Sequence, residues 1–397
     1  MPSAETATAS STPASLTRFD FAGAFGDIGV LFPIAIALIT LNHMNPTAVF
    51  LTAGLTYILA GRYFRIAIPV QPFKAVAAIA LALSLKPTEI ASAGLEMGVL
   101  LLLIGITDWA SVLAKLFTRP IVRGIQLGLG LLLAREGLRL MFGAHSSLAF
   151  GGRLTLPGWA IALGGASILF GLLRSRRFPA ALILLASGIA VGIAARHGVL
   201  AHFAWGPLPL ALLHPRLPEL ERVVTLLVIP QFALTFGNSI VATGETAQIL
   251  YGDGAKRVTA RALSLSIGMT NLVSGMILSA PTCHGSGGVT AHYRFGARSE
   301  KSSYIIGGAC LLIALFGRSA AVLLSLIPMA ILGLFLAYVG IEHGSYVRDL
   351  AGRRAGLTVA IAVGLVSLVT TNLTLGFLVG FALEGIFLLT RRLERKA

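Results

Sequence analysis

Two short stretches decide how this chain is read: Pro69-Val70-Gln71-Pro72-Phe73-Lys74 and Pro281-Thr282-Cys283-His284-Gly285-Ser286-Gly287-Gly288. Each puts proline and polar side chains into an otherwise apolar segment. Proline blocks a continuous helix but suits a first helical turn, where its missing N–H costs nothing. Each stretch therefore predicts extended backbone feeding a helix that starts inside the membrane. Such a start carries unpaired N–H groups and a partial positive charge. Two of them facing each other at mid-depth would make an anion site, as in transporters built from broken helices.

The surrounding composition supports a membrane setting. Apolar residues are 56% of the 397 and charged residues 12%, about half the charge of a soluble domain. With a mean hydropathy of +0.85, the chain reads as polytopic. Its net charge of +15 fits basic loops at a cytoplasmic face better than nucleic-acid binding. Cys283 and Cys310 lie in apolar context and imply no disulfide framework. Residues 1–17 lack a basic start and an apolar run, so they read as a flexible tail and not a cleaved signal.

The expected fold is an all-α polytopic membrane protein with fourteen segments. Seven lie near 20–42, 46–61, 66–85, 90–113, 121–141, 156–173 and 179–195, within a first repeat over 18–195. A connecting loop, 196–222, is rich in Pro and His. A second repeat over 223–390 holds segments near 223–250, 258–279, 281–296, 302–317, 319–340, 356–371 and 373–390, and 391–397 is a basic cytoplasmic tail. The third and tenth segments, which carry the opening motifs, are too short for a full span.

Charge supports the count. With the N-terminus inside, the inner loops carry Arg62 and Arg65; Lys115, Arg119 and Arg123; Arg174, Arg176 and Arg177; Lys256, Arg257 and Arg261; Arg294, Arg298 and Lys301; and Arg348, Arg353 and Arg354. The tail adds Arg391, Arg392, Arg395 and Lys396. The outer loops hold little beyond Lys86, Arg153, Arg196, Arg216, Arg222 and Arg318. Both termini are expected in the cytoplasm, with the protein in the inner (plasma) membrane among its lipids. An internal echo points to two halves. Ala24-Phe25-Gly26-Asp27-Ile28-Gly29-Val30 resembles Thr235-Phe236-Gly237-Asn238-Ser239-Ile240-Val241, an offset of 211 residues from Gly26 to Gly237. The opening motifs repeat at 212, from Pro69 to Pro281. Seven is odd, so the second copy would enter the membrane inverted, with the site between copies.

The candidate residues follow from these motifs. Pro72 is expected at the first helical position, leaving the N–H groups of Phe73, Lys74 and Ala75 for an anion, with the Gln71 amide beside them. Lys74 weighs most, because a cation in hydrocarbon costs at least about 2.5 kcal/mol; the alternative is a lysine snorkelling to water. In the second motif, Gly285 lets backbone approach a ligand, Thr282 and Ser286 offer hydroxyls, His284 offers a donor or a proton carrier, and Cys283 completes the lining. Its bland reading is a Gly-rich packing face. No second Cys/His pair stands at zinc spacing, so no metal or other cofactor is expected. Asp27 and its counterpart Asn238 are expected to line the site. Asp27 and Glu245 are candidates to carry protons, against structural pairing with Lys74 for Asp27 and with Arg257 or Arg261 for Glu245. Gln231 reads as a helix–helix hydrogen bond, and Glu342 and His343 as water-facing.

At these motifs the chain resembles the molybdate transporter family of plants and bacteria, relatives of the SulP sulfate permeases. The resemblance rests on Gly23-Ala24-Phe25-Gly26-Asp27-Ile28-Gly29, the two opening motifs, Phe236-Gly237-Asn238-Ser239 and Tyr293-Arg294-Phe295-Gly296-Ala297-Arg298-Ser299. It implies a seven-plus-seven inverted repeat with core and gate parts, and molybdate uptake. SulP relatives carry a cytoplasmic STAS domain; this chain ends at Ala397 without one, which fits the molybdate branch. Phe73 departs from the methionine that branch carries there.

The leading expectation is a secondary transporter importing a tetrahedral oxyanion by alternating access: molybdate first, with sulfate or tungstate of the same charge and shape behind it. Import of a dianion against a negative-inside potential calls for a co-transported cation, most simply protons; an exchanger escapes that need. The alternatives are an uncoupled anion channel, a neutral-nucleobase carrier and a membrane enzyme, the last without a nucleophile–base set to support it. The sequence leaves a homodimer open.

Overall fold

The computed structural model describes residues 16–107, 109, 113, 118–144, 146–150, 154–172, 180–214 and 217–394. The first fifteen residues of the expected tail, Lys115, Arg153, Arg174, Arg176, Arg177, Arg216, Arg395 and Lys396 lie outside them.

The chain runs through α1 (Arg18–Ala24), α2 (Ile28–Leu41), α3 (Pro46–Phe64), β1 (Gln71–Pro72), α4 (Lys74–Leu83), α5 (Pro87–Thr107) and α6 (Arg119–Phe142). A hairpin of β2 (Leu148–Phe150) and β3 (Leu154–Leu156) leads to α7 (Gly158–Leu172) and α8 (Ala180–Ala195). Then come α9 (Leu217–Val223), α10 (Ile229–Leu234), α11 (Ala242–Tyr251), α12 (Ala260–Met276), β4 (Thr282–Cys283) and α13 (Ser286–Arg294). The last are α14 (Lys301–Leu315), α15 (Gly317–Ser325), α16 (Met329–Ser345), α17 (Arg354–Thr370) and α18 (Leu373–Glu394). Among the described residues, four helical stretches are long and apolar enough to cross a membrane, or up to six if each of two bent pairs counts as one span. Several others, such as α4, α7, α8 and α17, are shorter apolar helices.

The breaks have local causes. The first expected segment is two helices bent by 41°, parted at Phe25–Asp27, where Gly26 lies against the Ala291 carbonyl of α13. The expected segment 319–340 is not one helix: α15 turns 90° away from α14, and α16 starts afresh behind Pro328. The expected start at 223 moves back to Leu217, inside the expected connecting loop, and the helix then passes through π-helical turns at Val224–Val228 and Thr235–Val241. A π-turn inserts an extra residue and re-aims side chains; the second one carries Asn238.

At the centre, the two opening stretches pair as antiparallel strands, Gln71 opposite Cys283 and Pro72 opposite Thr282. The Phe73 N–H donates to the Pro281 carbonyl at 2.8 Å. Asn271 of α12 completes the other edge of β4, donating to the Thr282 carbonyl and accepting from its N–H, both at 2.7 Å. On the β1 side, the Tyr57 hydroxyl donates to the Val70 carbonyl at 3.3 Å. His284 closes the join: Nδ1 donates to the Pro69 carbonyl at 2.8 Å, and Nε2 sits 2.9 Å from the Ser266 hydroxyl. Buried backbone outside a helix needs this full satisfaction.

Around this join, helices from the two ends of the chain cross at small residues. α3 packs on α14, α5 on α12, and α6 on α16. In the last pair, Gly130 and Gly340 face each other, and a Cβ added at Gly340 would lie 2.6 Å from the Gly130 carbonyl oxygen. Backbone-to-backbone approach of this kind replaces hydrophobic burial as the adhesive between helices in lipid. Gly340→Val should therefore lower the stability of the detergent-purified protein by about 1–3 kcal/mol. Gly164→Ala, where an added Cβ meets nothing within 4 Å, should leave it unchanged; thermal unfolding of the two variants beside the wild type checks both.

Candidate functional site

The strand join holds the beginnings of α4 and α13 beside one cavity of about 1300 Å³. Its polar lining includes Asp27, Gln71, Lys74, Asn238, Glu245, Ser286, Thr290 and Glu342, with Arg119, Arg123 and Arg294. At its base three side chains form a relay. Gln71 Nε2 donates to Asp27, 2.7 Å from each carboxylate oxygen, and Lys74 Nζ donates to Gln71 Oε1 at 2.5 Å. Asp27, Gln71 and Lys74 are all buried. A primary amide can both donate and accept, so Gln71 links the two charged groups without bringing them into contact. Among the described residues the ion pairs are Arg123–Asp349, Glu136–Arg139, Glu89–Arg222 and Asp253–Lys256, so Lys74 pairs with no carboxylate there.

The relay is pressed onto the start of α13. A Cβ at Gly288 would fall 2.7 Å from Asp27 Oδ2, 2.8 Å from Gln71 Nε2 and against Pro69. One at Gly285 would strike Gln71 Oε1 and lie 3.2 Å from Lys74 Nζ. These glycines are what let the relay lie across the helix start. Opposite, the Ser286 hydroxyl donates to Asn238 Oδ1 at 2.9 Å. The Thr243 hydroxyl donates to the His284 carbonyl at 2.6 Å, tying α11 to the same turn.

The start of α4 differs from the sequence expectation. Pro72 belongs to β1 and Phe73 is the N-cap, so the helix begins at Lys74. The N–H groups of Phe73 and Ala75 are not free for an anion. Phe73 donates to Pro281, and Gln231 Oε1 accepts from Ala75 at 2.9 Å and Val76 at 3.3 Å. Gln231 thus makes an interhelical bond, as its sequence position suggested, and does so as a cap. Its own Nε2 donates to the Thr235 hydroxyl at 2.9 Å.

Of the residues expected to touch a ligand, Gln71, Lys74, Asn238 and Ser286 line the cavity, as do Asp27 and Glu245. Phe73, Thr282, Cys283, His284 and Gly285 are not in its lining. The Thr282 backbone and the His284 ring are spent on the strand join, Phe73, Thr282 and Cys283 are buried, and Gly285 lies under Gln71 and Lys74. Glu342 and His343, expected at water, line the cavity instead. They fall there because α16 runs on to Ser345, past the end at 340 that its hydropathy suggested. Tyr338 and Tyr346 share that helix face and its continuation; in sequence only the four-residue spacing of 338, 342 and 346 marks them. Tyr346 places its hydroxyl over the first turn of α13, 3.3 Å from where a Gly287 Cβ would stand. Arg123 stacks over its ring and pairs with Asp349.

The family model described as molybdate transporter of the MFS superfamily matches residues 20–133 and 224–342, one stretch in each half. The chain belongs to the molybdate transporter family. It is a membrane transporter and not an enzyme. Among curated relatives it is 29% identical to molybdate transporter 2 of Arabidopsis thaliana, over 92% of this chain and 86% of that one. It is 28% identical to molybdate transporter 1 of Chlamydomonas reinhardtii, over 93% and 91%. Its fold is similar to the transmembrane domain of a cyanobacterial bicarbonate transporter, BicA, at a TM-score of 0.68 and 16% identity, covering 91% of this chain and 97% of that one. It is also similar to murine Solute Carrier 26 family member A9, described as an anion transporter, at 0.69 and 15%, covering 94% and 68%. Within this family member, Gln231→Leu should orphan the Ala75 and Val76 amides and cost about 1–3 kcal/mol of stability, read as a lower unfolding temperature in detergent than the wild type.

Proposed function

We propose that this chain imports molybdate, or a tetrahedral oxyanion of the same charge, through the cavity between α4 and α13. The observation that carries the reading is Lys74: a buried ammonium inside a membrane protein whose partner is a neutral amide. Such a charge is costly in hydrocarbon unless something offsets it, and a dianion resting between Lys74 and the first turn of α13 would do so. The Ser286 and Asn238 side chains and the dipole of α13 face the same space. Arg119, Arg123 and Arg294 at its border raise the local concentration of anions.

The chain is read as fourteen segments in two inverted sets of seven, with both termini in the cytoplasm of a cell whose inner membrane it spans. The pairing of Gln71 with Cys283 supports this, because the two stand 212 residues apart, the offset of the motifs themselves. A two-fold axis in the membrane plane would pass between such counterparts. The helix crossings agree: α3 on α14 and α5 on α12 exchange under that axis, and α6 on α16 maps onto itself. The cavity is bordered by Arg119, Arg123 and Arg294, the residues that the positive-inside pattern places in the cytoplasm, so this conformation is inward-open. Rocking the body that contains α6 and α16 against the body that contains α4 and α13 would expose the anion to the other side.

Each negative charge moved inward costs about 2.3 kcal/mol per 100 mV, so a dianion needs coupling. Protons are the simplest cation, and Asp27 is their acceptor: its carboxylate is buried, lines the cavity and is linked to Lys74 through Gln71. Glu245 lines the mouth of the same cavity and is a second acceptor. Uptake of radiolabelled molybdate into proteoliposomes tests the reading. Lys74→Ala should weaken uptake by about two orders of magnitude or more, the worth of one close charge at intermediate dielectric. Asp27→Asn should keep molybdate binding but abolish stimulation by an inward pH gradient. Undiminished uptake by Lys74→Ala would reject the site, and undiminished gradient response by Asp27→Asn would reject the acceptor. Sulfate and tungstate added as competitors rank the substrates.

A further inference from the structure

Away from the cavity, α5 carries a carboxyl that no interaction accounts for. Glu96 lies at the middle of a 21-residue helix that contains an 18-residue window of mean hydropathy 2.0. The residue is half-buried, its two carboxyl oxygens are shielded, and neither has a hydrogen-bond partner. One turn earlier, Ser92 is fully buried and its hydroxyl is likewise without a partner. Residues four apart share a helix face, so two orphaned polar groups stand one turn apart on the same face of α5. Three residues before Ser92, Glu89 is ion-paired with Arg222 at 3.0 Å. Glu89, Ser92 and Glu96 therefore form a polar line about 10 Å long, starting at the end of α5 next to Lys86. Beyond Glu96 the same face continues as Val99 and Leu103, both exposed, so the line ends where α5 meets lipid.

The surrounding charges do not compensate Glu96. α5 packs on α12, α9, the Val224–Val228 turn and α4. α9 carries Glu219, Glu221 and Arg222, of which Arg222 pairs with Glu89. The Val224–Val228 turn carries no titratable group. α12 has Arg261 at its far end, and α4 has Lys74, which donates to Gln71 in the cavity. A carboxylate at mid-span with no donor and no cation is costly, and a carboxylic acid is not.

We propose that Glu96 is a proton-binding site separate from the transport cavity, held as the neutral acid in this conformation and exchanging its proton through the Glu89–Ser92 line during transport. The exchange step rests on the proton-coupled reading above; the protonated state does not.

Dicyclohexylcarbodiimide, an apolar reagent that partitions into lipid, distinguishes the two. It adds only to a protonated carboxyl: the acid proton passes to one carbodiimide nitrogen, the carboxyl oxygen bonds to the central carbon, and acyl migration leaves a stable N-acylurea. The full-length wild type in proteoliposomes should carry this adduct on the peptide containing Glu96, detected by mass spectrometry. Water-exposed Asp253 should not carry it. Absence of the Glu96 adduct overturns the proposal, and because this arm uses the wild-type chain it does not depend on how a variant folds. In the second arm, Glu96→Gln should bind molybdate as the wild type does but lose pH-driven accumulation, about tenfold for each proton moved across one pH unit. Wild-type accumulation by Glu96→Gln overturns the exchange step. A wild type with no pH response at all rejects proton coupling as such, while the adduct still reports the site.

Discussion

Backbone that leaves the helix inside a membrane protein must find every hydrogen bond within the protein, and that requirement governs this structure. Two prolines, Pro69 and Pro281, forbid helix at the centre. The freed groups are satisfied by strand pairing across the molecule, Gln71 with Cys283 and Pro72 with Thr282, by Asn271 and Tyr57 brought from other helices, and by His284 of the second stretch itself. The join is short because only a few residues lie between each proline and its helix. It fixes where α4 and α13 begin, and hence where the cavity is. His284 illustrates the consequence. In sequence it looks like a ligand or proton carrier; in the fold both ring nitrogens are engaged, one on the Pro69 carbonyl and one at the Ser266 hydroxyl.

The two helix starts so positioned are not equivalent. At α4 the first-turn amides of Ala75 and Val76 are spent on Gln231, and the Phe73 amide on Pro281. What α4 offers the cavity is the Lys74 ammonium. At α13 the first turn is Ser286-Gly287-Gly288, with a hydroxyl pointed at Asn238 and glycines flat enough for Gln71 and Asp27 to lie across them. One side supplies a whole charge and the other a dipole and a hydroxyl. Gln71 stands between them, and its orientation is dictated: an amide nitrogen toward Asp27 and an amide oxygen toward Lys74 is the arrangement in which neither contact is repulsive.

Much of this was legible in the chain. Pro69, Pro72 and Pro281 located the breaks because proline acts locally, and Lys74, Asp27, Asn238 and Ser286 stood out because polar groups in apolar segments are expensive wherever they fall. What the sequence could not supply was long-range partnership. Nothing local says that Gln231 would cap a helix that starts 157 residues before it, or that His284 would lock Pro69. For Glu342 and His343 the illegible part is the helix: hydropathy falls before α16 does, because the end of the helix borders the polar-lined cavity and needs no apolar side chains there. Gly317-Arg318-Ser319 marks a boundary between segments in the chain, but the 90° turn there is not legible, since composition reports burial and not direction.

The two halves also differ in charge at matching places. Under the 211–212 offset, Asn238 stands where Asp27 does, and Ser286 where Lys74 does. The first half has the charged pair and the second its neutral counterparts, each joined by hydrogen bonds: Asp27 to Lys74 through Gln71, and Ser286 to Asn238 directly. A fully symmetric centre would crowd two ammoniums and two carboxylates into one buried space, where desolvation of each ion outweighs most of what pairing returns. Keeping one pair confines the buried charge to Asp27 and Lys74, while Asn238 and Ser286 keep hydrogen-bonding capacity without fixed charge. Divergence between the two halves at these two positions thus leaves one buried charged pair beside a neutral, hydrogen-bonded one in the same cavity.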